Sequence, residues 1–226
     1  GYPYIVNIDT ANKANPIDGK IIMSNLCSEV LQVQTPSQIN NRQEYDVLGT
    51  DISCNLGSTN IPNMMTSPDF GHSIETMVRS LTYVTDHSDI DVVPSVAHGN
   101  QLAHTIGLGG MGLHTYFAKN QMMYGSEESI DFTSNYFMLL NYWTLVASNK
   151  IAKERGITFD NFENSKYADG SYFDQYLNTE WAPKTAKVKG LFDGVFIPTQ
   201  ADWAALKESI MQDGLYNKNR LAVAPN

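Results

Sequence analysis

The chain has 226 residues, 42% hydrophobic and 11% aromatic, which suffices for a globular fold with a real core. A formal net charge of -9 with scattered Lys and Arg argues against a nucleic-acid binder, which needs basic side chains concentrated against phosphates. The sequence holds no apolar run of about 18 residues, the usual minimum for a membrane span, and opens without a charged-then-apolar signal pattern.

A cytoplasmic location is therefore expected. The two cysteines, Cys27 and Cys54, are too few for a disulfide scaffold, and neither belongs to a C-x-x-C, which argues against structural zinc.

In chain order, Tyr4 to Ile8 reads as a buried strand, being β-branched and aromatic. Asn15-Pro16-Ile17-Asp18-Gly19 is a turn, and Lys20 to Ser24 leads into Asn25-Leu26-Cys27-Ser28-Glu29. Ile52 to Leu56 is expected as a second short strand carrying Cys54. Ser67-Pro68-Asp69 offers an N-cap with Pro at the next position, and Ile74, Met77, Val78, Leu81 and Val84 keep helical spacing behind it.

The strongest predicted helix runs from Ser129 to Arg155. Its apolar stripe is Phe132, Tyr136, Leu139, Leu140, Trp143, Val146, Ala147 and Ile151, and Gly156 follows as a C-cap. Asp202 to Met211 is a shorter amphipathic helix, and Leu221 to Ala224 reads as a closing strand. This mixture predicts an α/β fold in which long helical insertions separate the strands.

The chemistry-bearing segment is Asn25 to Glu29. In an extended or loop backbone, side chains at i, i+2 and i+4 point the same way, so Asn25, Cys27 and Glu29 are expected to face one substrate. An amide, a sulfur centre and a carboxylate base suit a polar sugar better than a core. A lone cysteine is usually a buried structural residue. An isolated N-x-C-x-E would favour that reading, with a turn Asn and an exposed Glu beside the cysteine; the sequence on both sides is what weighs against it here.

These segments resemble the large, catalytic subunit of class I ribonucleotide reductase, most closely class Ib. The resemblance runs in order through Gly1-Tyr2-Pro3-Tyr4-Ile5, Asp9 to Pro16, both cysteine segments, Gly107 to Leu113, and Asn219 to Pro225. It implies that residues 1–226 are the central segment of a ten-stranded α/β barrel, an incomplete domain with a finger loop through its middle.

It also implies roles. Cys27 becomes a transient thiyl radical that takes the 3′ hydrogen of a ribonucleoside diphosphate. Glu29 acts as base on the 3′ hydroxyl, and Asn25 positions the sugar. Leu26 and Ser28 belong to the same substrate-binding segment, and Asn55 and Leu56 wall the pocket. Cys54 is one half of a redox dithiol whose partner lies outside this chain.

No cofactor is expected in this segment. The implied partners are a radical-generating small subunit with two Mn or Fe ions, a thioredoxin- or glutaredoxin-like reductant, the remaining segments and a second copy of the assembled large subunit. The family is allosteric and binds ATP, through loops that fall outside these residues. The remaining segments are separate chains of a split gene or parts of a longer protein. The competing reading is a catalytically incomplete structural or interaction fragment of the same fold. With strands expected at both ends, open edges would leave the chain functional only within a larger assembly.

Gly107 to Gly112 matches G-x-G-x-x-G, with Glu127 further on. A nicotinamide fingerprint needs a strong strand before the first glycine, and Gln101 to Ile106 is not one. In the resembled family this stretch is expected as part of a packed helix. His72, His87, His98, His104 and His114 have no metal-ligand spacing and are expected to be surface or hydrogen-bonded structure.

Overall fold

The computed structural model describes residues 5–53, 55–88 and 90–223. In chain order the principal elements are α1 (Ile8–Ala14), β1 (Gln38–Ile39), β2 (Tyr45–Val47), β3 (Leu56–Asn60), α2 (Ile61–Met64), α3 (Phe70–His87), α4 (Pro94–Ala103), β4 (Gly107–Met111), α5 (Leu113–Lys119), α6 (Glu127–Arg155), α7 (Asp174–Leu177), α8 (Ala186–Leu191) and α9 (Gln200–Asp213). Helices and strands are mixed along the chain, consistent with an α/β fold. Among the described residues the strands form two small sheets and no closed barrel.

Helix α6 is the centre of the molecule. Ser126 caps it through its side chain, Glu127 and Glu128 sit at the positive end of the helix dipole, and Lys153 and Arg155 at the negative end. Gly156 closes it with φ 67°, a left-handed conformation that costs glycine little. The expected stripe is there, but burial goes further round. Phe132, Tyr136, Leu139 and Leu140 pack into a cluster with Ile74 and Val78 of α3. Met138, Tyr142 and Leu145 pack into a second cluster with Trp203, Leu206 and Ile210 of α9. A helix sandwiched between two apolar clusters is buried on more than one face.

Both neighbouring helices are set by their caps. The Asp69 side chain accepts from His72 N, so α3 starts after Asp69 and Pro68 lies before the helix rather than at its first position. Val84, expected on the apolar stripe, is 50% exposed on the outer face. Thr199 and Asp202 form a reciprocal capping box, which starts α9 two residues earlier than periodicity alone suggests.

Two strand expectations need correction. Ile8 opens α1 instead of ending a strand, because Asn7 accepts from Thr10 N and Asp9 and Lys13 complement the helix dipole; Tyr4 lies outside the described residues. The strand expected at Ile52 to Leu56 begins only at Leu56 and runs to Asn60, and Cys54 lies outside the described residues.

The glycine stretch expected to be helical is strand β4, paired in parallel with β3 from Leu56↔Gly107 to Asn60↔Met111. A Cβ on Gly107 would come within 2.5 Å of Leu56 and 2.9 Å of Ala222, so glycine is what lets three backbones lie side by side. Leu221 bridges Leu108 in parallel on the other edge of β4, which is the closing strand in rudimentary form; Ala224 lies outside the described residues. The result is a parallel ribbon in the order β3, β4, Leu221.

Candidate active site

The segment with Cys27 is a loop pinned at both ends. Ile17 and Ile21 before it and Val30 after it are buried, whereas Ile22, Met23 and Leu26 are exposed. Asn12 of α1 holds the entry, accepting from Ile21 N and donating to Ile21 O, both at 2.8 Å. Asn15 folds back on Ile17 in the expected turn, its Oδ1 accepting from Ile17 N at 3.0 Å.

Between these anchors the backbone is a turn, the loop form of the two backbones expected, and not an extended run. Ser28 takes φ 65° and donates its N–H to Asn25 O at 3.1 Å. Asn25 is the hub. Its Oδ1 accepts from Val30 N at 3.0 Å and its Nδ2 donates to Glu29 Oε1 at 2.6 Å.

Asn25 and Glu29 are therefore brought together by direct contact rather than by facing the same way. The other carboxylate oxygen, Glu29 Oε2, is buried and receives no donor among the described residues. Cys27 sits at the tip of the same turn as an exposed free thiol, which removes the buried structural reading. Leu26 beside it is 74% exposed.

The two cysteine segments converge on the parallel ribbon. Val30, Leu31 and Gln32 meet Ser53, Asn55, Leu56, Gly107 and Leu221 around a small polar cavity of about 20 Å³. A larger cavity of about 430 Å³ opens between Gln32 and Val33 on one side and Asp51 and Ile52 on the other, with Lys218 in its wall. Burial pulls the Lys218 amine below its ordinary pKa, against the opposing charges of Asp160 and Asp18. The cavity of about 580 Å³ at the start of α6, lined by Ile130, Asn135 and Trp181, shares no residue with either cysteine segment.

Asn55 and Leu56, expected to wall a substrate pocket, border the small cavity, which is too small for a nucleotide. Sequence reading missed what holds them: Asn55 Nδ2 donates to Thr85 Oγ1 at 2.8 Å, and Ser53 Oγ donates to Asn100 Oδ1 at 2.8 Å. These partners lie tens of residues apart, and no local spacing signals them.

A charged cluster also went unread. Asp86 accepts from Arg155, from Tyr216 Oη at 2.9 Å and pairs with His104 Nδ1 at 2.8 Å. Burial would push the Asp86 carboxyl up, but bonds from His104, Arg155 and Tyr216 outweigh it and hold the pKa below the ordinary value. His104 of this cluster ends α4 in the left-handed conformation, and no spacing in the sequence signals it.

Among the described residues no group of three or more His, Cys, Asp or Glu side chains is placed to hold a metal ion, and no helix is long and apolar enough to cross a membrane.

Residues 1–226 match the family model of the ribonucleotide reductase barrel domain from end to end. The chain belongs to that family. It is 44% identical over 227 residues to the ribonucleoside-diphosphate reductase subunit alpha of Bacillus subtilis, covering all of this chain and 32% of that relative. It is 46% identical over 231 residues to the subunit alpha of Mycoplasma pneumoniae, again covering all of this chain and 32% of that protein. The NrdEB subunit alpha of Bacillus phage SPbeta is 43% identical over 204 residues, which is 90% of this chain and 19% of the phage protein. The chain thus spans about a third of the length of the bacterial relatives.

Proposed function

We propose that this barrel-domain segment carries the radical centre of a ribonucleoside-diphosphate reductase. The observation that carries the reading is the loop of Asn25 to Glu29, in which a free exposed thiol stands on a turn tied by the Asn25–Glu29 hydrogen bond of 2.6 Å. Cys27, as a thiyl radical, takes the 3′ hydrogen of the ribose. An S–H bond and a ribose C–H bond have similar strength, so the transfer is reversible. Glu29 then accepts the 3′-hydroxyl proton, and its second oxygen, which has no donor among the described residues, keeps its lone pairs for that role. Asn25 orients the carboxylate and the sugar hydroxyls, with Leu26 and Ser28 completing the substrate-facing turn.

Reduction at the 2′ carbon takes two electrons. Cys54 and a second thiol from the remaining segments each lose one electron and one proton as their disulfide forms. The 2′ C–O bond breaks, a C–H bond forms, and the oxygen leaves as water. A thioredoxin- or glutaredoxin-like protein restores the dithiol.

The radical originates in a small partner subunit holding two Mn or Fe ions. The assembled large subunit works as a homodimer in the cytoplasm and is regulated by nucleotides through its other segments. Within that assembly residues 1–226 supply the central catalytic part of the barrel and do not turn over alone. Exposed Ile5, Ile22, Met23 and Val47 are apolar surface that such an assembly would cover.

The test uses the assembled reductase. Cys27→Ser is expected to abolish deoxynucleotide formation with unchanged folding, because the serine O–H bond is too strong to yield a usable radical. Glu29→Gln is expected to retain substrate binding and lose most turnover. Turnover of Cys27→Ser within a few fold of the parent would rule the reading out.

A further inference from the structure

We propose that helix α4 is a polar clamp on the Cys54 segment, with Asn100 of α4 and Thr85 of α3 acting as positioning residues for Cys54. The inference rests on the reading of Cys54 as half of the reducing dithiol. Its starting point is the composition of the α4 interface. The residues that α4 buries are Ser95, Gly99 and Asn100, none of them a large apolar side chain. A helix docked by apolar contacts is held by a non-directional force, whereas one docked by hydrogen bonds is fixed in position and orientation.

Those bonds fall on alternate residues either side of Cys54. Asp51 N donates to Ser95 O at 3.0 Å, and Ser95 Oγ donates to Asp51 Oδ2 at 2.6 Å. Gly99 packs against the same residue so closely that a Cβ would come within 2.2 Å of Asp51 O. Ser53 Oγ donates to Asn100 Oδ1 at 2.8 Å, and Asn100 Nδ2 donates to Thr85 O at 2.6 Å.

Beyond the cysteine, Asn55 Nδ2 donates to Thr85 Oγ1 at 2.8 Å, and Thr85 Oγ1 donates to Thr105 O at 3.1 Å. Asn55 O in turn accepts from Gly107 N of β4 at 2.9 Å. Residues 51, 53 and 55 are each tied, and the tying groups are deeply buried, with Thr85 at 1%, Ser95 at 2% and Asn100 at 7% exposure.

Burying that many polar groups is unfavourable unless each is matched, so apolar packing would dock the helix at lower risk. What the polar interface adds is register. A disulfide forms only when the two Cα atoms lie within about 4.4–6.8 Å with suitably directed side chains. Cys54 must meet that condition in one state and present its thiol to the sugar in the other. The bonds at Ser53 and Asn55 hold the chain on either side of it, which is what such positioning requires.

The experiment compares Thr85→Val, which removes the hydroxyl at nearly constant volume, with Thr85→Ser, which keeps it, and adds Asn100→Ala and Cys54→Ser. In the assembled reductase the readout is base released per deoxynucleotide formed. That ratio does not depend on how much of each variant is folded. Cys54→Ser is expected to abstract hydrogen and stall, releasing base. Thr85→Val and Asn100→Ala are expected to raise the ratio about tenfold or more, the scale set by a misplacement near 1 Å, while Thr85→Ser stays within about twofold.

A parental ratio in Thr85→Val and Asn100→Ala, alongside a stalled Cys54→Ser, overturns the clamp and leaves the assignment of Cys54 standing. A parental ratio in Cys54→Ser overturns that assignment and the clamp with it.

Discussion

Helix α6 and the Cys27 loop are held in place by different physics. Along α6, Phe132, Tyr136, Leu139 and Leu145 have no exposed surface and join clusters on two sides. The loop from Ile22 to Glu29 has buried residues only as anchors on either side, Ile21 and Val30, leaves Leu26 and Cys27 exposed, and takes its shape from Asn25. Apolar burial gives α6 stability that tolerates detail. The loop gains little stability, and its geometry depends on a few directed bonds. Damage to the first region should appear as unfolding, and damage to the second as lost chemistry in an intact fold.

The largest stability effect is expected in α6. Leu139→Ala should cost about 3–4 kcal/mol by deleting buried methyl groups and leaving a cavity, whereas Leu26→Ala at the loop tip should stay within about 0.5 kcal/mol. Denaturant melts of the assembled protein measure both. A large cost at Leu26 would mean that the loop is part of the core and would erase the contrast.

A smaller effect, with a pH signature, is expected where the ends of α3, α4 and α6 meet. Asp86→Asn should cost about 1–3 kcal/mol at neutral pH by weakening the bonds from His104, Arg155 and Tyr216. The folded-state pKa of Asp86 is depressed, so its contribution is complete above the unfolded carboxylate value of about 3.9 and is lost as pH falls through the lower folded value. The gap between parent and variant in a pH series of melts should therefore close under acid. A gap that persists there would assign the loss to packing instead.

The same division explains how much could be read from the chain. Apolar periodicity located α6 and α9 to within a few residues, and the N-x-C-x-E spacing selected the loop. Where a polar side chain decides the backbone, periodicity failed. Asn7 turned an expected strand into α1, and the bond from Val30 N to Asn25 chose a turn where the spacing allowed an extended run or a loop. The glycines of β4 carried no apolar pattern, because Gly107 admits Leu56 and Ala222 at close range and Gly110 admits Ile61. Helix α4 was invisible for a related reason: its buried face is Ser95, Gly99 and Asn100, and its partners lie more than 40 residues away at Asp51 and Ser53.

The central claim is that the two cysteines perform different steps, Cys27 taking the hydrogen and Cys54 supplying electrons. The most direct measurement is tritium release from a 3′-tritiated ribonucleoside diphosphate, with Cys27→Ser and Cys54→Ser each placed in the assembled reductase. The account predicts release above background with Cys54→Ser and none with Cys27→Ser. Tritium release from the Cys27→Ser enzyme would contradict it.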